Sequence, residues 1–237
     1  MKCWGRNSSG ELGDGTTVGR DVPVSVVGLS GRVKQVALGD SHTCALLDTG
    51  AVECWGADWE GRLGDGGTKS SAVPVGVAAL ASEVTAIGAG AAHTCAVTAT
   101  GAVKCWGRNS HGELGDGSTT GSRVPISVTH LGSVRAVSAG WLHTCALTDW
   151  GGVLCWGSNR NGQLGDGSGT NSRVPVYLSD LTGARVLGSG AEHSCVAMQD
   201  GLAPRCWGDP RSGALGSGSR SGGTTPVAVR GLPAPAK

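Results

Sequence analysis

Three short signatures recur along this chain of 237 residues and keep a single register with one another. The triplet Cys-Trp-Gly has its tryptophan at Trp4, Trp55, Trp106, Trp156 and Trp207, at intervals of 51, 51, 50 and 51 residues. A His-Thr/Ser-Cys triplet places its cysteine at Cys44, Cys95, Cys145 and Cys195, and a Gly-x-Leu-Gly motif places its leucine at Leu12, Leu63, Leu114, Leu164 and Leu215. A fixed period of this size is the mark of a repeat architecture, in which each unit buries its apolar face only against its neighbours.

Each period contains four short apolar runs. In the first complete unit they are Val33–Leu38, His42–Leu47, Ala51–Trp55 and Val73–Ala78, and in the second Val84–Ile87, His93–Thr98, Ala102–Trp106 and Val124–Val128. Glycine, aspartate, serine and threonine separate them, a strand-and-turn pattern. The 43 glycines argue against long helices, while 39% hydrophobic and 16% charged residues argue against disorder. Proline opens the fourth run of every unit (Pro23, Pro74, Pro125, Pro175, Pro226), which predicts an outer edge strand. Four antiparallel strands in about 50 residues predict an all-β chain of β-propeller blades.

The unit V-x-x-V-x-x-G-x-x-H-T-C-A-L-x-x-x-G-x-V-x-C-W-G-x-N-x-x-G-x-L-G-D-G closely resembles the repeat of the regulator of chromosome condensation family, and the likeness covers essentially the whole chain. That resemblance implies a propeller, typically of seven blades. The chain divides instead into an N-terminal half blade (1–31), complete blades at 32–82, 83–132, 133–182 and 183–232, and a tail at 233–237, as one propeller domain. An incomplete ring is therefore expected. It belongs either to a fragment of a longer chain or to a small protein that closes by self-association through its open blade edges.

Eight of the nine cysteines form pairs within repeats: Cys44 with Cys54, Cys95 with Cys105, Cys145 with Cys155, and Cys195 with Cys206. A three-residue hairpin loop at Asp48-Thr49-Gly50, with Gly50 left-handed, sets Leu47 opposite Ala51 and Cys44 opposite Cys54. The last pair carries one extra residue, so a bulge or longer loop is expected within Gln199–Pro204. Cys3 is left as a free thiol. Three readings stay open: disulfides in an oxidising compartment, reduced buried thiols in the cytoplasm, or a metal site of one histidine and two cysteines, one ligand short of a zinc tetrahedron.

The repeated His42, His93, His143 and His193 are expected to bond to backbone and tie neighbouring blades, since catalysis needs different groups converging on one point. Asp14, Asp65, Asp116 and Asp166, each followed by glycine, are expected to hold turns through their own backbone. Trp141 lies in Gly-Trp-Leu-His-Thr, which resembles the tryptophan motif of a photoreceptor branch of the family, but the other repeats carry Asp40, Ala91 and Ala191 in its place, with Ser41, Ala92 and Glu192 beside their histidines. No nucleophile elbow, phosphate loop, metal-protease motif or dinucleotide fingerprint is found, so no catalytic, cofactor or metal residues are assigned.

A formal charge of +1 gives no support for binding nucleic acid or an anionic membrane, and no apolar run is long enough for a spanning helix. The expected function is a non-catalytic repeat module whose loops bind a protein. Variation concentrates after the third strand of each blade, and the candidate contact residues there and in nearby turns are Trp59, Glu60, Arg108, His111, Trp150, Arg160 and Arg211. The resemblance offers two alternatives, an exchange factor for a small GTPase or a secreted inhibitor of an enzyme. The disulfide reading places the chain outside the cell or in the cell envelope, in the manner of the family's secreted bacterial members.

Overall fold

The structure, a computed structural model, describes residues 1–199 and 201–232. The expected tail at 233–237 lies outside the described residues. Two strands, β1 (Lys2–Gly5) and β2 (Arg20–Ser25), pair as the half blade. The first complete sheet is β3 (Val33–Leu38), β4 (His42–Leu47), β5 (Val52–Gly56) and β6 (Ser71–Gly76). The second is β7 (Val84–Ala89), β8 (His93–Thr98), β9 (Val103–Gly107) and β10 (Ser122–Ser127). The third is β11 (Val134–Ala139), β12 (His143–Thr148), β13 (Val153–Gly157) and β14 (Ser172–Tyr177). The fourth is β15 (Ala184–Ser189), β16 (His193–Met198), β17 (Arg205–Gly208) and the short β18 (Val227–Ala228). Every sheet is antiparallel and ordered as the chain runs, and the blades do not close into a ring.

The core lies between sheets rather than within one. Leu46, Val52 and Leu63 of one blade enclose Ile87 and Trp106 of the next, and Val97, Val103 and Leu114 enclose Val137 and Trp156 in the same way. Trp55, Trp106, Trp156 and Trp207 are each 0% exposed. Removing a ring of that size from water contributes about 4–6 kcal/mol before ordering costs, so each blade depends on its neighbour for its largest apolar term.

The proline marks the outer edge strand of each complete sheet, but it lies fourth within β6, β10 and β14 and does not open them, while Pro226 directly precedes the short β18. β6 starts at Ser71, with Pro74 fourth. Ser71 pairs with Gly56 and Val75 with Cys54, so Trp55 stands opposite a bulge of Ala72, Val73 and Pro74. Ser71 Oγ accepts from the Val73 amide at 3.3 Å and donates to the Val73 carbonyl at 2.6 Å, stitching that bulge. A residue without an N–H costs no ladder bond there.

Candidate functional site

The hairpins carry the cysteines as the register requires. Leu46 pairs with Val52, Ala45 with Glu53 and Cys44 with Cys54, around a loop in which Gly50 takes φ 82°. The Leu47 amide donates to the Ala51 carbonyl at 2.9 Å, so alternation outward puts Cys44 and Cys54 on a close, non-hydrogen-bonded rung. The same opposition recurs in the later blades, where Cys95 pairs with Cys105, Cys145 with Cys155 and Cys195 with Cys206. All four pairs lie at disulfide distance, with Cα–Cα separations of 4.1 Å. The extra residue between Cys195 and Cys206 sits in a longer connection, where the Leu202 amide donates to the Gln199 carbonyl at 3.2 Å. Cys3 is free, and partial burial pushes its thiol up from the usual range.

Three of the four repeated histidines, His42, His93 and His143, fasten blade to blade, through side-chain hydroxyls rather than backbone. His42 Nε2 lies 2.9 Å from Thr94 Oγ1, His93 Nε2 2.8 Å from Thr144 Oγ1 and His143 Nε2 2.8 Å from Ser194 Oγ. Thr94 donates its one hydroxyl proton to the Arg62 carbonyl at 3.2 Å, and Thr144 donates to the Glu113 carbonyl at 3.0 Å. Each hydroxyl must therefore accept from the imidazole, which fixes the Nε2–H tautomer. The same carbonyls receive the indole N–H groups: Trp106 to Arg62 at 2.9 Å and Trp156 to Glu113 at 2.7 Å. Burial holds these imidazoles neutral, pulling His42 and His143 to about 3 and His93 to about 4. Their Nδ1 atoms have no hydrogen-bond partner. The ring lies close against the Gly90 backbone instead: a Cβ at Gly90 would fall 2.3 Å from both the His93 Cε1 and the Gly140 carbonyl.

A second repeated geometry shapes the loops after the third strands. Asn109 Oδ1 accepts from the Leu114 amide at 2.9 Å, and its Nδ2 donates to Asp116 Oδ1 at 3.0 Å and the Thr120 carbonyl at 3.0 Å. Asn7 and Asn159 repeat the arrangement with Asp14 and Asp166. The aspartates hold their turns as expected, Asp116 Oδ1 accepting from the Ser118 amide at 3.0 Å. In the first complete blade the asparagine is replaced by Asp58. Its Oδ1 accepts from Leu63 at 2.9 Å, but its Oδ2 is buried without a partner. Burial raises its carboxyl from 3.8 to about 6, opposed by the Leu63 amide and reinforced by the Asp65 charge. Sequence reasoning treats these stretches as variable surface, whereas Asp58, Asn109 and Asn159 are buried struts.

The loops themselves gather at one end of the sheets. The amides of Ala57, Arg108, Ser158 and Asp209 donate to the carbonyls of Ser41, Ala92, Leu142 and Glu192, so the loops after the third strands sit beside the turns joining first to second strands. Trp59, 65% exposed, lies with the Arg62 guanidinium 5.4 Å from its ring centre, a cation–π distance. Trp59, Glu60, Arg108 and Arg123 line one depression of about 310 Å³. His111 and Arg108 both approach the buried Glu113 carboxylate, at 3.3 and 3.8 Å. Arg160 is exposed in the next loop, and Arg211 pairs with Asp209 at 2.6 Å and Glu192 at 3.0 Å.

Trp150 does not join this group. It belongs to a hairpin turn between second and third strands, at the opposite end of the sheets, where it packs 5.8 Å from Tyr177. Trp141, 54% exposed, stands among the inner turns near Leu38 and Ala191. Among the described residues no cluster of three or more histidine, cysteine or acidic side chains is arranged to hold a metal ion, and no helix is long and apolar enough to cross a membrane.

Comparison with known proteins accords with this geometry. The sequence model of the family described as RCC1-like domain matches residues 1–237. The chain is 40% identical over 131 residues to the ultraviolet-B receptor UVR8 of Arabidopsis thaliana, covering 54% of this chain and 30% of that protein. It is 35% identical over 136 residues to the human E3 ubiquitin-protein ligase HERC2, covering 54% of this chain and 3% of that protein. Among solved structures, human WBSCR16 superposes with a TM-score of 0.87 at 25% identity, over 99% of this chain and 63% of that one. Yeast RCC1 (Prp20), solved bound to Kap60, shares the fold with a TM-score of 0.80 at 20% identity, over 92% of this chain and 53% of that one. The chain thus spans under a third of these curated relatives and under two thirds of these solved chains.

Proposed function

The chain belongs to the RCC1-like domain family, and on that premise we propose that it is a non-catalytic protein-binding module whose ligand docks on the loops following the third strands. One observation carries the reading: Trp59, an exposed aromatic ring backed by Arg62, lines a shallow depression with Glu60 and Arg108. Tryptophan and arginine at the centre of a patch are the residue types that dominate protein interfaces. The repeated polar groups are consumed elsewhere. The histidines fasten blades and the aspartates hold turns, which leaves the loops as the part of each unit free for recognition. Small-GTPase exchange and enzyme inhibition are narrower versions of the same reading, and no feature of this loop face selects either.

The test is quantitative affinity capture from the source cells with the unaltered chain, with the double variant Trp59→Ala plus Arg108→Ala, and with Trp150→Ala on the opposite end. Proteins lost by the first variant and kept by the second support the assignment. Equal capture by all three overturns it.

We also propose that the four cysteine pairs are oxidised and that the chain works in an oxidising compartment, outside the cytoplasm. Support comes from four pairs at disulfide distance on close, opposed rungs, with Cys105, Cys155 and Cys206 buried like Cys54. Alkylation of the unfolded chain isolated without reductant, followed by mass measurement, should label Cys3 alone. Labelling of all nine cysteines would place it in a reducing compartment.

A further inference from the structure

The loop strut of the first complete blade has lost its donors and kept its acceptors. In the sister repeats the asparagine Oδ1 accepts from the amide of Leu12, Leu114 or Leu164, at 2.9 Å in each case. The Nδ2 then donates into a ring of oxygens 7, 9 and 11 residues further on. From Asn109 these are Asp116 Oδ1 at 3.0 Å, the Ser118 carbonyl at 3.3 Å and the Thr120 carbonyl at 3.0 Å. From Asn7 they are Asp14 Oδ1 at 3.2 Å, the Thr16 carbonyl at 3.0 Å and the Val18 carbonyl at 3.1 Å.

Asp58 keeps the first bond, accepting from Leu63 at 2.9 Å, so its planar carboxylate sets Oδ2 where the sister repeats set Nδ2. The residues at the same three offsets are Asp65, Gly67 and Lys69. An acceptor thus faces acceptors. Asp58 is 0% exposed, and its Oδ2 is buried with no hydrogen-bond partner. Asp65 has lost a donor as well. Asp14, Asp116 and Asp166 take hydroxyl protons from Thr16, Ser118 and Ser168 at 2.7, 2.8 and 2.8 Å, and Asp14 also pairs with Arg20 at 3.0 Å. Gly67 stands where those hydroxyl-bearing residues stand and gives Asp65 only its amide, at 2.8 Å. The nearby Arg62 guanidinium turns to Glu60 at 3.8 Å and to the Ala91 carbonyl at 3.3 Å. Among the described residues no cationic side chain pairs with Asp58 or Asp65.

We propose that Asp58, Asp65 and the carbonyls of Gly67 and Lys69 form a binding site for a calcium ion. The ion replaces the two donors that this repeat lacks. Oxygens about 3 Å from Oδ2, as in the sister repeats, can share with it one cation at calcium–oxygen distances of roughly 2.3–2.6 Å. The set is all oxygen, without nitrogen or sulfur, which selects a hard cation, and two carboxylates balance a divalent charge. The missing side chain at Gly67 leaves room beside Asp65, which is exposed, so the ion enters from solvent and completes its six to eight ligands with water. Magnesium demands a tighter octahedron and sheds water reluctantly, so a loop lined by carbonyls suits it less. The site does not rest on Trp59 being a contact residue, and its test needs no partner.

The whole chain, stripped with EDTA and returned to chelator-free buffer near neutral pH, is titrated with calcium chloride in a calorimeter. One site is expected, with Kd about 10⁻⁴–10⁻³ M, the range of weak extracellular calcium modules. Calcium at about 10 mM should raise Tm by about 3–10 °C, magnesium should raise it less, and potassium chloride of equal ionic strength should leave it unchanged. Asp58→Asn restores the side chain of the sister repeats, so it should fold, and it should bind calcium at least about tenfold more weakly. In EDTA that variant should melt above the unaltered chain, because its Nδ2 supplies the donor that the ion otherwise replaces. Asp65→Asn keeps an oxygen for the Gly67 amide and should also weaken binding about tenfold. Absence of both heat and Tm shift in the unaltered chain overturns the proposal. So does a calcium response as large in Asp58→Asn, or one equalled by magnesium or potassium.

Discussion

His42 donates through Nε2 to the hydroxyl of Thr94, 52 positions along the chain and in the next sheet. Thr94→Val keeps the shape of that side chain and strips both of its polar contacts, leaving a buried imidazole donor without a partner. A loss of about 1–3 kcal/mol is expected. Thr94→Ser should stay within about 0.5 kcal/mol, because Ser194 already serves His143. Thermal and urea denaturation of both variants check the pair; a loss in Thr94→Ser with none in Thr94→Val would mean that the methyl group, and not the hydroxyl, matters.

The neutral imidazoles set a direction for acid. His42, His93 and His143 lie near 3, 4 and 3 in the fold against 6.5 when exposed. A depressed histidine contributes fully above its unfolded value and loses that contribution as pH falls through the window between the two. With three such groups, unfolding takes up as many as three extra protons, and stability should fall by up to about 4 kcal/mol per pH unit between pH 6 and 4. Denaturant midpoints across that range check it. A flat profile would mean that the rings are accessible to protons in the fold.

Asp58 works in the opposite sense. Its raised carboxyl stabilises the fold when protonated, and that stability is lost as pH rises through about 6. Asp58→Asn restores the side chain used by Asn7, Asn109 and Asn159 and lets Nδ2 donate where Oδ2 has no partner. A gain of about 1–3 kcal/mol at pH 8, shrinking toward zero below about pH 4, is expected. A gain independent of pH would show that the site is not titrating.

Gly90 is required by closeness rather than by dihedral angle. A methyl group there meets the His93 ring and the Gly140 carbonyl, which belongs to the neighbouring blade. Gly90→Ala should cost about 1–3 kcal/mol or more, since neither neighbour has a free direction to move. Gly132→Ala, where a Cβ meets nothing within 4 Å, serves as the control. Gly132→Ala should be neutral or slightly stabilising, because alanine lowers the entropy of the unfolded chain; equal stability of the two variants would show that the contact at Gly90 is not limiting.

The strands and their pairing were legible because a period of two and a three-residue loop leave little freedom. Counting outward from Gly50 puts Cys44 on Cys54 without any tertiary information, and the same count serves Cys105 and Cys155. The partner of Cys206 was legible from the repeat, but the structure was needed to show that the extra residue sits in a longer turn and not in a bulge. Proline was misplaced because edge position, which it does reveal, is compatible with either a strand start or a bulge, and the Ser71 stitch that selects the bulge is a purely local bond. The histidine partner escaped because Thr94 follows its own His93 in sequence, and only the stacking of sheets brings it to His42. Asp58 was hidden in plain view: a loop that varies between repeats reads as surface, although a fixed offset from Trp55 makes it the counterpart of three buried asparagines. Placing Trp150 apart from Trp59 needed only the strand directions, which the repeat pattern already contained.

The fastening between sheets has a polarity. Each unit offers an imidazole donor and a spare carbonyl toward its successor, and a hydroxyl and an indole N–H toward its predecessor. Such joints are heterologous: like sides cannot mate, and every addition regenerates the side it consumed. Packing chemistry thus dictates the direction in which units follow one another but supplies no count at which to stop, so the number of units in such an array is decided by curvature and covalent length rather than by any interaction within a joint.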